Sequence, residues 1–178
     1  ELAAMLTLVP VENMNSNPLA DFTAPADMAE VVLYLAGRGN GEEYFRNLLT
    51  DVVLGIDFLA QRAEIDPLKI YTQGEGLGAA CSFVASALDE RVAVSFVATP
   101  DFTQFTDNFS VESIARKVQA PVLFGLGLQD RTSRIQEAFA IYNKVSAEKE
   151  YFIFPAATSV ERNKWKYMRD TFIIRLAE

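Results

Sequence analysis

Gly74-Glu75-Gly76-Leu77-Gly78 forms a glycine-rich turn between a short apolar run and an alanine-rich segment. Two chemistries use such a turn. One cradles a pyrophosphate against a helix N-terminus. The other presents a nucleophile on a sharp, strained bend. The first wants G-x-G-x-x-G after the first strand of its fold. Here Ala79 and Ala80 follow Gly78, with Cys81 the small residue at the third glycine position, and the turn follows the third strand rather than the first. The second needs a hydroxyl or thiol to attack and a base to take its proton. The turn holds neither, and none of the 178 residues is a histidine. A scaffold for presenting a nucleophile is therefore present without the reacting groups.

A turn of this kind must be held by a strand before it and a helix after it. Lys69-Ile70-Tyr71-Thr72 supplies the strand, and Leu77 to Leu88 reads as a buried helix. Further strands are expected at Ala3 to Val9, Val31 to Leu35, Val92 to Ala98, Pro121 to Leu126 and Glu150 to Phe154. Most have continuous apolar centres instead of in-out alternation, the mark of strands buried on both faces. Glu43 to Ala63 carries Phe45, Leu48, Leu49, Val52, Val53, Ile56 and Leu59 at three- and four-residue spacings, which predicts an amphipathic helix. Asp66-Pro67 closes that segment. Helices are also expected at Ser110 to Ala115, Ser133 to Val145 and Val160 to Leu176. The segment from Asn13 to Ala29 reads as either a short helix or a long loop. Strands alternating with helices imply an α/β fold with a parallel sheet covered on both faces.

Half the residues are hydrophobic and 22% are charged, which suits one globular domain over 1–178 with a substantial core. The net charge of -8 argues against nucleic acid and anionic membrane as partners, because phosphate binding takes clustered Lys and Arg. No apolar run approaches the about 18 residues of a membrane span. Cys81 is alone, so it forms no internal disulfide, and its apolar neighbours mark it as a buried small side chain. Ser82 and Ser95 sit in similar surroundings and are expected to be hydrogen-bonded core residues. The chain starts at Glu1 and not at Met, which suggests a processed product or a piece of something longer.

Several stretches together resemble the acetyl xylan esterase / cephalosporin-C deacetylase group of α/β-hydrolases. Asp51 to Leu59 is similar to the group's D-x-x-R-x-x-x-F/Y-L helix, and Asp66-Pro67-Leu68-Lys69-Ile70-Tyr71 to its D-P-x-R-I-Y-V-T strand. The glycine turn resembles its G-G-S-Q-G-G elbow. Gly127-Leu128-Gln129-Asp130 resembles a G-L-x-D acid motif, Phe139 to Lys144 an F-A-A-Y-N helix, and Phe154-Pro155 the Y-P before a catalytic histidine. The similarity runs from about Val31 to Ser159.

The resemblance implies a doubly wound parallel sheet of about six strands, in the order second, first, third, fourth, fifth, sixth. The family's first two strands have no counterpart, so an earlier segment or a neighbouring domain is expected over that sheet edge. Carried over by position, Gly76 falls on the nucleophilic serine, Asp130 on the catalytic acid and Ser159 on the histidine. The family's H-G-Y-G oxyanion loop would fall near Val11 to Asn15, which reads Val-Glu-Asn-Met-Asn. Arg134-Ile135 stands where a proline pair is usual, and the long excursion before Tyr44-Phe45-Arg46 shrinks to Asn40-Gly41-Glu42-Glu43.

These losses lead to the expectation of a non-catalytic, esterase-like domain with a binding, scaffolding or interdomain role. Its partner would be a protein or neighbouring domain, or a carbohydrate bound without being cut. The alternative is an acetyl-ester hydrolase with a remodelled site, in which Glu75 and Asp130, with Glu161, hold a divalent ion or do acid–base work. The plainer reading makes Glu75 a solvated turn residue and Asp130 a loop residue bonded to backbone. No cofactor and no metal site is expected. By the same resemblance the setting is extracytoplasmic and bacterial. Phe102, Phe105 and Phe109 either line a cleft or pack as satellite core under a loop.

Overall fold

The computed structural model describes residues 2–11, 23–103, 105, 110–131, 134–157 and 160–178. The strands are β1 (Leu2–Pro10), β2 (Ala29–Leu35), β3 (Ile65–Glu75), β4 (Val92–Ala98), β5 (Val122–Gly127) and β6 (Lys149–Phe154). The helices are α1 (Glu42–Ala60), α2 (Leu77–Leu88), α3 (Val111–Ala115), α4 (Ile135–Lys144) and α5 (Arg162–Leu176). All strands join one parallel sheet in the order β2-β1-β3-β4-β5-β6. This is the expected α/β architecture and the expected order.

Continuous apolar strands are buried because helices cover both faces. Every residue of β5 is buried. On one face, α1 and α2 enclose Leu6, Leu8, Leu48, Val52, Ile56 and Ile70. Beside them, α2, α3 and α4 enclose Phe83, Val97, Phe124 and Ile141. On the other face α5 brings Trp165 and Phe172 onto Met5, Phe96 and Leu123. Each such side chain contributes about 1.5–3 kcal/mol by leaving water. Helix α2 is buried from Gly78 through Ser86. That explains its alanines: a helix enclosed on all sides needs small residues to fit between its neighbours.

The ends of some elements differ from the sequence reading. β3 begins at Ile65, and so includes Asp66-Pro67, which proline's own chemistry marks as a helix stop and the family resemblance puts at the start of the strand. Ile65 pairs with Leu2 and Ile70 with Ala4, so β3 carries extra residues between these pairs, an irregularity that accommodates Pro67 within the strand. α1 ends at Ala60, three residues early, and Gln61 caps it by donating its N–H to the Asp57 carbonyl at 3.1 Å. α5 begins at Arg162, because Val160 is buried against the sheet before the helix starts. Most of Asn13 to Ala29 lies outside the described residues, as does Ser133. No described helix is long and apolar enough to cross a membrane.

Candidate functional site

In the strand order, β1 and β3 are neighbours from which the chain winds in opposite directions. The crevice beyond the C-terminal ends of such strands is where doubly wound sheets place ligands. The glycine turn lies there. Gly76 has φ 57 and ψ -121 and caps α2 without a side chain. Its N–H donates to the Ala98 carbonyl at 3.1 Å, and its own carbonyl accepts from the N–H groups of Ala80 at 3.1 Å and Asp101 at 3.0 Å. The bend is thus pinned to the end of β4 as well as to its own helix.

The three glycines of the turn do different work. A Cβ on Gly74 would sit 2.4 Å from the Gly78 carbonyl carbon, and one on Gly78 would sit 2.2 Å from the Leu8 carbonyl oxygen. These two let backbones approach each other. A Cβ on Gly76 would meet nothing within 4 Å. Space for a side chain therefore exists at Gly76, at the cost of backbone strain of about 1–3 kcal/mol. Glycine removes that strain because it lacks the clashing Cβ. A second strained residue lies near: Thr99, buried and with φ 40, follows β4 and donates its N–H to the Gly125 carbonyl at 2.7 Å.

Asp130 ends the turn after β5, half-buried, with its N–H on the Gly127 carbonyl at 3.2 Å. That turn is fastened to the loop after β6. Leu128 N–H donates to the Phe154 carbonyl at 3.1 Å and Gln129 N–H to the Ala157 carbonyl at 3.0 Å. The acid turn is therefore held beside the segment that leads to Ser159, although Ser159 itself lies outside the described residues. Glu75 is the last residue of β3, half-buried and in register with Ala98. Glu75 and Asp130 both have interaction partners.

Glu75, Asp130 and Glu161 do not form a three-carboxylate metal group among the described residues. Glu161 precedes α5 and pairs with Lys164 at 2.5 Å. Among the described residues, no three His, Cys, Asp or Glu side chains come together in a way that could hold a metal ion. Cys81 is no substitute nucleophile either. It is fully buried, and burial pushes its thiol up to about 12.

Other polar residues have structural roles. Ser82 Oγ donates to Thr72 Oγ1 at 2.8 Å and shares a hydrogen bond with Ser95 Oγ at 2.9 Å. All three are buried, as expected of Ser82 and Ser95. Phe102 packs edge-on against Phe83 with ring centroids 5.5 Å apart, and Phe105 stacks on Phe45 at 4.8 Å. Both join the core under the loop; Phe109 lies outside the described residues.

Sequence reasoning missed a buried network under the turn. Gln73, the residue before Gly74, donates through Nε2 to Thr7 Oγ1 at 2.7 Å and accepts from Arg169 Nη1 at 2.9 Å. Arg169 is 1% exposed and also donates to the Thr23 carbonyl at 2.8 Å and to Asp170 Oδ1. The one available signal was spacing. Arg169 falls four residues after Trp165 and three before Phe172, on the apolar stripe of its helix.

Comparison with known proteins agrees with this architecture. The acetyl xylan esterase (AXE1) family model matches residues 102–174. The chain is 24% identical over 140 residues to acetyl esterase Axe7A of Xylanibacter ruminicola, an alignment covering 63% of this chain and 32% of that protein. The chain thus spans about a third of that curated relative. An acetyl xylan esterase from Paenibacillus sp. R4 superposes with a TM-score of 0.79 at 16% identity, covering 98% of this chain and 74% of the other. Acetyl xylan esterase 1 from Thermoanaerobacterium sp. JW/SL YS485 gives 0.77 at 16% identity, covering 100% and 76%. The α/β-hydrolase-like fold and the family resemblance both stand.

Proposed function

We propose that this chain, a relative of the acetyl xylan esterases, is a non-catalytic esterase-like domain that serves in binding, scaffolding or interdomain packing. One observation carries the reading. The elbow keeps its sharp geometry, yet the residue at its apex is Gly76 and the chain has no histidine. Without a nucleophile and its base the covalent route is closed, and what donors and binding alone can do is small. Ser159, which falls on the histidine position by motif order, cannot act as a base near neutral pH.

The test is hydrolysis of an acetyl ester by the pure chain, beside a matched double variant carrying Gly76→Ser and Ser159→His. A silent parent with a weakly active variant supports the reading, since the open space at Gly76 admits the new Cβ. Turnover by the parent above a no-enzyme blank overturns it. Loss of that turnover on Glu75→Gln or Asp130→Ala would move the chemistry to those carboxylates.

The preserved bend favours a second reading, in which an acetylated sugar is bound and not cut. Calorimetric titration with acetylated xylo-oligosaccharides should then give saturable heat, reduced by Gly76→Phe, which would fill the open space. A flat trace removes this reading and leaves the first intact.

A further inference from the structure

Few side chains hold α5 to the sheet. Trp165, Arg169 and Phe172 are the buried ones among its fifteen residues, whereas α1 buries six and α2 nine. Met168, Ile173 and Leu176 pack half-buried around them. Two of the three anchors carry a polar cost. Arg169 is a guanidinium taken out of water, and the Trp165 Nε1–H is buried without an acceptor among the described residues. Both groups would regain water if the helix lifted. Helices in proteins owe most of their stability to the packing of one face, so α5 costs less to release than α1 or α2.

Each anchor meets the sheet next to the glycine turn. Arg169 Nη1 donates to Gln73 Oε1 at 2.9 Å, and Gln73 is the residue that leads into Gly74. The Trp165 ring lies against Gly125, with Cζ3 2.6 Å from where a Cβ would stand. The Gly125 carbonyl accepts the Thr99 N–H at 2.7 Å. Thr99 has φ 40, which a β-branched residue keeps only while its surroundings impose it. The Ala98 carbonyl just before it accepts the Gly76 N–H. Phe172 packs edge-on against Phe96 at 6.3 Å, and Phe96 is in register with Gln73.

We infer that α5 is a releasable strap that sets the glycine turn. Docked, it fixes Gln73 and Gly125, and through them the bend at Gly76 and the strained Thr99. Lifting it withdraws the guanidinium from Gln73 and the indole from Gly125 in one movement, and Thr99 can then relax. The helix and the turn therefore open as one unit while the strand ladder stays paired, a sub-global opening. The shape of the crevice at Gly76 is thus governed from the face of the sheet opposite α2. The inference concerns the shape of the bend and not its chemistry, so it and the proposal above fail separately.

The test is native-state amide exchange of the whole chain, read residue by residue by NMR in low urea. The perturbation is Tyr167→Gly with Thr171→Gly. Both residues are exposed, Tyr167 by 70%, so the changes weaken α5 through helix propensity and remove no buried contact. Exchange at Ile173 should quicken roughly threefold, and that at Gly76, Thr99 and Asp101 by the same factor, with Leu123 and Phe124 of β5 unchanged. A quickened α5 beside an unmoved turn overturns the inference. An equal rise at β5 also overturns it, because the opening unit is then the whole fold. So does an unmoved α5, which would have no opening of its own.

Discussion

Arg169 Nη1 donates to Gln73 Oε1 at 2.9 Å, joining the last helix to the strand residue that enters the glycine turn. With Thr7 on β1 and the Thr23 carbonyl, this makes a chain of buried polar groups across the face of the sheet that α5 covers. A buried guanidinium is tolerated only when its donors are met, and here three acceptors meet them.

Removing that guanidinium should therefore be costly. Arg169→Met removes the hydrogen bonds to Gln73 Oε1 and the Thr23 carbonyl, and a loss of about 3 kcal/mol is expected. Arg169→Lys should recover part of it. Urea denaturation of the three proteins measures both, and a loss for Arg169→Met within about 0.5 kcal/mol of zero, typical of a surface change, would refute the assignment.

The glycines of the turn should respond unequally to alanine. Gly78→Ala drives a Cβ against the Leu8 carbonyl oxygen at 2.2 Å, and backbone cannot step aside cheaply. Such overpacking should cost about 3 kcal/mol or abolish folding. Gly76→Ala meets open space and bears only the strain of its dihedrals, about 1–3 kcal/mol. Thermal melts in which Gly76→Ala is the more damaging change would contradict this division of roles.

Cys81 should be inert in the folded chain. Its thiol, pushed up to about 12 by burial, is protonated at pH 8, and no solvent reaches it. Labelling with a disulfide reagent should follow global unfolding, rising with urea along the unfolding curve. Rapid labelling of the native protein would place the residue elsewhere.

Acid should weaken the turn between α2 and β4. Arg91 donates to both oxygens of Asp89, at 2.9 and 2.6 Å, and to Asp57 at 2.7 Å. The hydrogen bond from the Arg91 side chain is the main reason the Asp89 carboxyl titrates below its ordinary range. Its contribution is complete above the unfolded value, about 3.9, and is lost as pH falls through the depressed folded value. Asp89→Asn should lower the melting temperature at pH 7 and narrow the gap between pH 7 and pH 3. An unchanged gap would remove Asp89 from the acid response.

The fold was legible where one physical signal dominated. β4 and β5 are apolar throughout because helices cover both faces, and no competing pattern obscured them. Asp66-Pro67 carried two readings, a helix stop from its proline and the start of a strand from the family resemblance, and the pairing of Ile65 with Leu2, distant in sequence, makes it strand. The site divided along the same line. Gly76 and Asp130 were singled out by motif order, and they lie just beyond the C-terminal ends of β3 and β5. Arg169 could not be, because its acceptors Gln73 and Thr23 come together only once α5 lies on the sheet.

Trp165 is the chain's one tryptophan. Its ring occupies the place a side chain on Gly125 would take, with Cζ3 2.6 Å from that Cβ position. Its Nε1–H is buried with no hydrogen-bond acceptor among the described residues. The molecule therefore carries its own optical gauge of α5. Native emission should be blue and shielded from iodide, and lifting α5 alone would turn it red while the strands kept their circular dichroism. Partial opening of one face could thus be followed by light, separately from collapse of the whole.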